Sequence, residues 1–183
     1  HAASIGEFKS SDLIIDRYHK VFHILVTTTT KSSADYIKEF YNNKVVHQYI
    51  PFDVSIWCSR FLNFWKPNLI LWIESDIWPN MLNKIREKDI NCLYLNARIS
   101  PNSFKKWKNA KNFYKNSLKN FNKIFAQSTD DKKRIHELTN LQIDYIGNLK
   151  LAKTKLNSVT NREQSNVIMI ASTHSNEEIE IIK

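Results

Sequence analysis

Glu7 is the first residue of this sequence whose type and setting suit a reaction. It closes the run Ser4-Ile5-Gly6-Glu7, and Gly6 is one of only two glycines in 183 residues. A chain that makes its turns with Asn, Asp, Ser and Pro keeps glycine where φ must be positive or where something approaches the backbone closely. Small residues lead here into a helical pattern carrying Leu13, Ile14 and Tyr18. Glu7 then lies in a first helical turn, where unpaired N–H groups and the positive dipole end favour an ionised carboxylate or a bound anion. Such a carboxylate suits a general base. Ser4 and Glu7 also fit the capping box Ser-x-x-Glu, and spacing alone favours the cap. The second glycine opens Gly147-Asn148-Leu149-Lys150, which also reads as part of a ligand site.

Two apolar runs turn polar at once at their carboxyl ends. Leu69 to Ile73 leads into Glu74-Ser75-Asp76, and Cys92 to Leu95 into Asn96-Ala97-Arg98. Asp76 is taken as the N-cap of the helix entered at Trp78-Pro79, and Glu74 as the site group. The planar fork of Arg98 suits a carboxylate or a phosphate, or pairs structurally with Glu74. Further on, Ala171-Ser172-Thr173-His174 follows an apolar run and precedes a helical pattern. That makes either a phosphate cradle with His174 as donor or a helix start capped by Ser175. His174 lies near Glu177 and Glu178, but without a further ligand no metal site is expected.

The elements that must position these groups alternate. Apolar runs at Val21 to Val26, Val45 to Ile50, Asn68 to Ile73, Cys92 to Leu95, Ile124 to Ala126 and Ile143 to Ile146 read as buried strands. Segments of 3.6-residue periodicity lie between them, at Ala34 to Tyr41, Ile56 to Trp65, Trp78 to Lys88 and Asp131 to Leu138. The expectation is an α/β fold with a doubly wound parallel sheet, its ligands in the crevice beyond the strand carboxyl ends. Phe104 to Lys123 reads as a basic amphipathic segment. Its apolar stripe of Phe104, Trp107, Tyr114, Leu118 and Phe121 packs on the sheet, and its lysines form a solvated or membrane-facing side.

A net charge of +9, from 27 Lys+Arg against 18 Asp+Glu, points to an anionic partner: nucleic acid, phosphorylated sugar or lipid surface. Cys58 and Cys92 suggest neither a disulfide framework nor a zinc site, which fits a reducing cytoplasm. No apolar run of about 18 residues is present. The sequence opens on His1 inside a motif and ends within a helical pattern, so it reads as a fragment. Five tryptophans and seven tyrosines with a basic charge raise an RNA-binding or nucleotide-handling module as the alternative. Against it, no Gly-x-x-x-x-Gly-Lys-Ser/Thr or Gly-x-Gly-x-x-Gly motif occurs, and the aromatics sit in apolar periodic runs.

Together, His1 to Glu7, Ile73-Glu74-Ser75-Asp76-Ile77-Trp78-Pro79-Asn80, Asn96-Ala97-Arg98-Ile99-Ser100, Gly147 to Lys150 and Ala171 to His174 resemble the 3-deoxy-D-manno-octulosonic acid (Kdo) transferases of Gram-negative bacteria. The resemblance implies a GT-B glycosyltransferase with two Rossmann-like domains. Residues 1–148 would be the acceptor-side domain, 149–165 a linker, and 166–183 the beginning of the nucleotide-sugar domain. It implies inverting transfer of Kdo from CMP-Kdo to the tetraacyl lipid A precursor at the cytoplasmic face of the inner membrane, an anionic surface, without a cofactor, metal or nucleic acid. It makes Glu7 the base and places Ser4, Gly6, Glu74, Arg98 and Lys150 at the acceptor side, with Lys150 at the domain junction. Ser172, Thr173 and His174 would face the nucleotide sugar. Asp76 stands where the family often has Glu. A half enzyme lacking most of its donor pocket also raises the reading of an inactive remnant.

Overall fold

Short apolar runs bounded by polar turns form the strands of the computed structural model, which describes residues 1–74 and 76–152. They are β1 (Leu25–Thr28), β2 (Val46–Tyr49), β3 (Leu69–Ile73), β4 (Asn91–Ala97), β5 (Lys123–Ala126) and β6 (Asp144–Tyr145). The helices are α1 (Ile5–Phe8), α2 (Asp12–Tyr18), α3 (Lys31–Tyr41), α4 (Ser55–Trp65), α5 (Pro79–Glu87), α6 (Pro101–Lys108), α7 (Lys111–Leu118), α8 (Thr129–Thr139) and α9 (Leu149–Ala152). Hydroxyl caps start four of the described helices, α1 by Ser4 and three others. Thr30, Ser100 and Ser128 accept from the backbone N–H of Ser33, Ser103 and Asp131, each satisfying a donor that the first helical turn leaves unpaired.

Among the described residues every strand pairing is parallel, with β1 beside β2 and a second ladder in the order β3-β4-β5-β6. The extended backbone of His1 to Ala3 joins the two ladders. The His1 nitrogen donates to Leu71 O at 2.7 Å, and Ile73 N donates to His1 O at 2.9 Å. On the other side Ala2 N donates to Thr27 O at 3.0 Å, and Thr29 Oγ1 donates to Ala3 O at 2.9 Å. The sheet therefore runs β2, β1, His1–Ala3, β3, β4, β5, β6. The chain starts in the middle, winds outward on one side and then outward on the other. Between His1–Ala3 and β3 the winding reverses, and ligands of open α/β sheets bind in the crevice at such a switch point.

Both faces are covered, as the alternation of strand side chains requires. Trp72, Cys92, Tyr94 and Ile124 pack on one side with Leu62 of α4, Leu82 and Ile85 of α5, Leu118 of α7 and Ile135 of α8. Ile73, Leu71, Leu93, Leu95 and Phe125 pack on the other with Phe8, Ile15, Ile37 and Tyr41. The α/β fold expected from the sequence, parallel strands alternating with helices, is observed.

Several local expectations change. The first strand starts at Leu25, and Val21 and Phe22 lie exposed in the turn before it. Residues 5–18 do not form one helix, because a 3₁₀ turn at Lys9–Ser11 separates α1 from α2, and Leu13 and Tyr18 face solvent. The basic segment beginning at Phe104 is likewise two helices, broken at Asn109-Ala110. Its stripe still packs on the core, with Tyr114, Leu118 and Phe121 buried and Phe104 and Trp107 partly so. The aromatics are not all in packed runs. Helix α4 is apolar nearly all round, so while Cys58 and Leu62 are buried, Ile56, Trp57 and Phe64 face solvent beside Phe52. Cys58 and Cys92 are buried free thiols, and burial raises their pKa to about 11 and about 12.

Asp76 does not cap α5. Trp78 occupies the N-cap position without a side-chain bond, and Asp76 is exposed. The cap comes from the loop after β2: Asp53 accepts from Asn80 N at 3.1 Å and from Met81 N at 2.7 Å, while Asn80 Nδ2 donates to Asp53 O at 2.7 Å. Replacing Asp53 with Ala strips both amide bonds, so a loss of about 1–2 kcal/mol is expected in urea unfolding. An unchanged unfolding midpoint would show that α5 starts without this carboxylate.

Candidate active site

Beyond the carboxyl end of His1–Ala3 the chain turns directly into α1, and this turn presents Glu7. Ser4 Oγ accepts from Glu7 N at 3.3 Å, and Glu7 Oε2 accepts from Ala3 N at 2.8 Å. The capping box is thus closed, with the carboxylate reaching one residue behind the cap. Closing the box fixes the Glu7 carboxylate in the first turn of α1, at the carboxyl end of His1–Ala3.

Across the switch point, β3 ends on Glu74. Its backbone is left-handed, φ 50°, as is that of Asn96 at the end of β4, φ 55°. Glutamate pays a steric penalty there, whereas asparagine visits the region readily. The Glu74 carboxylate is only 7 % exposed and is held from three elements. Oε1 accepts from Ser10 Oγ at 3.0 Å and from Asn96 Nδ2, and Oε2 accepts from Lys150 Nζ at 2.9 Å. Asn96 Oδ1 in turn accepts from Leu149 N at 3.1 Å. A nearly buried carboxylate with three donors is fixed in orientation, unlike an exposed ion pair.

The buried Tyr94 phenol feels the charge of the acidic groups. The Tyr94 phenol is pushed far above its ordinary pKa, first by burial, then by Tyr114 and by the charges of Glu7, Asp76 and Glu74. His1 stands beside them, its Nδ1 3.0 Å from Thr27 Oγ1 and its ring 4.5 Å from that of Trp72 and 5.9 Å from that of Trp78. Among the described residues, His1 Nε2 and Gln127 Oε1 are buried polar atoms without a hydrogen-bond partner.

Of the residues singled out from the sequence, Ser4, Glu7, Glu74 and Lys150 gather around the switch point. Arg98 lies at the end of β4, exposed and without an ion pair among the described residues; the partner of Glu74 is Lys150. Gly147 has the positive φ expected of it, 89°. Gly6 does not, and the nearest atom to a Cβ at that position is Ser4 Oγ at 3.9 Å, so nothing among the described residues requires glycine at this point. Ser172, Thr173 and His174 lie outside the described residues. Sequence reasoning missed Ser10 and Asp53, and it quoted Asn96 without giving it a role. The abrupt polar turn after β4 marked Asn96, whereas no local pattern marked the other two. Among the described residues no group of three His, Cys, Asp or Glu is placed to hold a metal ion, and no helix is long and apolar enough to cross a membrane.

Fold and site define an open, doubly wound α/β protein with carboxylates from two strand ends flanking its switch point. The family described as 3-deoxy-D-manno-octulosonic-acid transferase (kdotransferase) matches residues 1–153, and the chain belongs to that glycosyltransferase family. A 3-deoxy-D-manno-octulosonic acid transferase of Rickettsia bellii is 37% identical over 191 residues, covering 97% of this chain and 45% of the relative. One from Rickettsia felis is 37% identical over 190 residues, covering 97% of this chain and 40% of the relative. One from Haemophilus influenzae is 26% identical over 198 residues, covering 100% and 46%. The chain spans less than half the length of these curated relatives.

The two capping contacts make separable predictions. Ser4→Ala is expected to lower stability by about 1 kcal/mol. Glu7→Gln keeps an acceptor for Ala3 N–H and is expected to stay within about 0.5 kcal/mol of the parent. Chemical denaturation of both variants checks this, and a large loss for Glu7→Gln would make the carboxylate chiefly a structural group.

Proposed function

We propose that this chain is the acceptor-side part of an inverting Kdo transferase of the GT-B type. It would move Kdo from CMP-Kdo to the tetraacyl lipid A precursor. In this reading residues 1–148 form the acceptor-side domain, 149–165 the linker and 166–183 the start of the nucleotide-sugar domain. The observation that carries the proposal is the placement of Glu7 and Glu74 on opposite sides of the switch point, in a chain that belongs to the family.

Glu7 takes the proton from an acceptor hydroxyl as that oxygen bonds to the anomeric carbon of Kdo, and the bond from that carbon to the CMP phosphate breaks. The Ala3 N–H, donating to Glu7 Oε2, holds the carboxylate in place for this step. Glu74, oriented by Ser10, Asn96 and Lys150, supports the acceptor opposite Glu7. The lack of a side chain at Gly6 leaves room for the substrate to approach the turn. Arg98, exposed at the neighbouring strand end, is available to an acceptor phosphate. Ser172, Thr173 and His174 take the nucleotide-sugar side. Spanning less than half the length of its relatives, the chain alone is expected to be inactive.

The acceptor is a lipid, and two surfaces suit the anionic cytoplasmic face of the inner membrane. Lys105, Lys106 and Lys108 are exposed on α6, and Phe52, Ile56, Trp57 and Phe64 are exposed at α4 near Arg60. Aromatic side chains beside basic ones favour the interfacial zone of a bilayer.

The chain should transfer Kdo only when joined to a C-terminal portion such as that of the Rickettsia bellii relative. In that joined protein Glu7→Gln should lower kcat by about 100-fold or more while acceptor binding persists. Near-parental turnover would place the base elsewhere. Replacing Lys105, Lys106 and Lys108 with Glu should weaken sedimentation with phosphatidylglycerol vesicles by about tenfold or more at low salt. Unchanged partitioning would assign those lysines to ordinary solvated surface.

A further inference from the structure

We infer that Asn96 is a positioning residue, setting the Glu74 carboxylate and coupling it to the start of α9. Its role in transfer rests on the function proposed above. Asn96 is fully buried, and its left-handed backbone is one that Asn adopts more readily than most residues. Both ends of its amide are engaged: Nδ2 donates to Glu74 Oε1, and Oδ1 accepts from Leu149 N at 3.1 Å. A carboxylate can only accept and a backbone N–H can only donate, so one amide orientation alone satisfies both partners. Lys150, the residue after Leu149, closes the ring through its 2.9 Å contact with Glu74 Oε2.

Glu74, Asn96, Leu149 and Lys150 thus form a closed circuit through the ends of β3 and β4 and the first turn of α9. The orientation of the carboxylate and the position of α9 are set by the same side chain. Neither aspartate nor alanine reproduces this. Aspartate keeps an acceptor for Leu149 but opposes a carboxylate to Glu74, and alanine loses both bonds.

The experiment compares Asn96→Asp and Asn96→Ala in the chain itself by amide hydrogen exchange, with Leu82 and Ile124 as reports on the intact fold. Asn96→Ala should speed exchange at Leu149 by about tenfold or more, whereas Asn96→Asp should retain protection there. In the protein joined to the Rickettsia bellii C-terminal portion, Asn96→Asp should lower kcat by about tenfold or more and leave the acceptor KM within about threefold. Unaltered Leu149 exchange in Asn96→Ala, or parental kcat in Asn96→Asp, overturns the inference. If Asn96→Ala fails to fold, Asn96→Asp, close in shape, still decides through kcat. Should the unsubstituted joined protein transfer no Kdo while the exchange results hold, the functional reading falls and the coupling of Asn96 to Glu74 and α9 stands.

Discussion

The backbone hydrogen bonds of His1 to Ala3 are what the rest of the structure depends on. Without them the protein has two separate parallel ladders, each with an open edge facing the other. With them there is one sheet, closed at its centre by a three-residue extended segment bonded to β1 and to β3. Because this segment lies between β1 and β3, where the winding reverses, the switch point falls beside it. The residues immediately after it, Ser4 to Glu7, enter the crevice with no intervening loop.

That placement imposes the chemistry of the crevice. A helix begun at a strand end places its first-turn residues just beyond the strand, and here the Ala3 N–H of that strand end donates to the Glu7 carboxylate. The neighbouring strand must end without colliding with α1. It does so on Glu74 in a left-handed conformation, which carries the carboxylate back toward Ser10, Asn96 and Lys150. Strained backbone at the ends of adjacent strands is a frequent companion of functional sites. In this protein the strain is offset by a hydrogen-bond network that leaves Glu74 one orientation.

Much of this was legible in the sequence because it is local. Alternating apolar runs and helical stripes gave the parallel α/β sheet, and Ser4 with Glu7 gave the capping box. The abrupt polar ends of two strands pointed to Glu74 and to the turn that holds Asn96. What escaped was the work of residues far apart in the chain. Asp53 caps a helix that starts at Pro79, a task that local spacing assigned to Asp76. Glu74 pairs with Lys150 across 76 positions rather than with Arg98 nearby. The aromatics were expected in apolar periodic runs, but a helix can bury only one face on a sheet, so Trp57 and Phe64 of α4 remain outside.

The central claim is that His1–Ala3 is the middle strand of one sheet and thereby sets Glu7 across the switch point from Glu74. Amide hydrogen exchange followed residue by residue at Ala2 and Ile73 tests it most directly. If the segment is a strand, these two amides exchange as slowly as Tyr94 within β4. Exchange at free-peptide rates at both positions, with β4 still protected, would mean that the two ladders are not joined and that the crevice is not built as described.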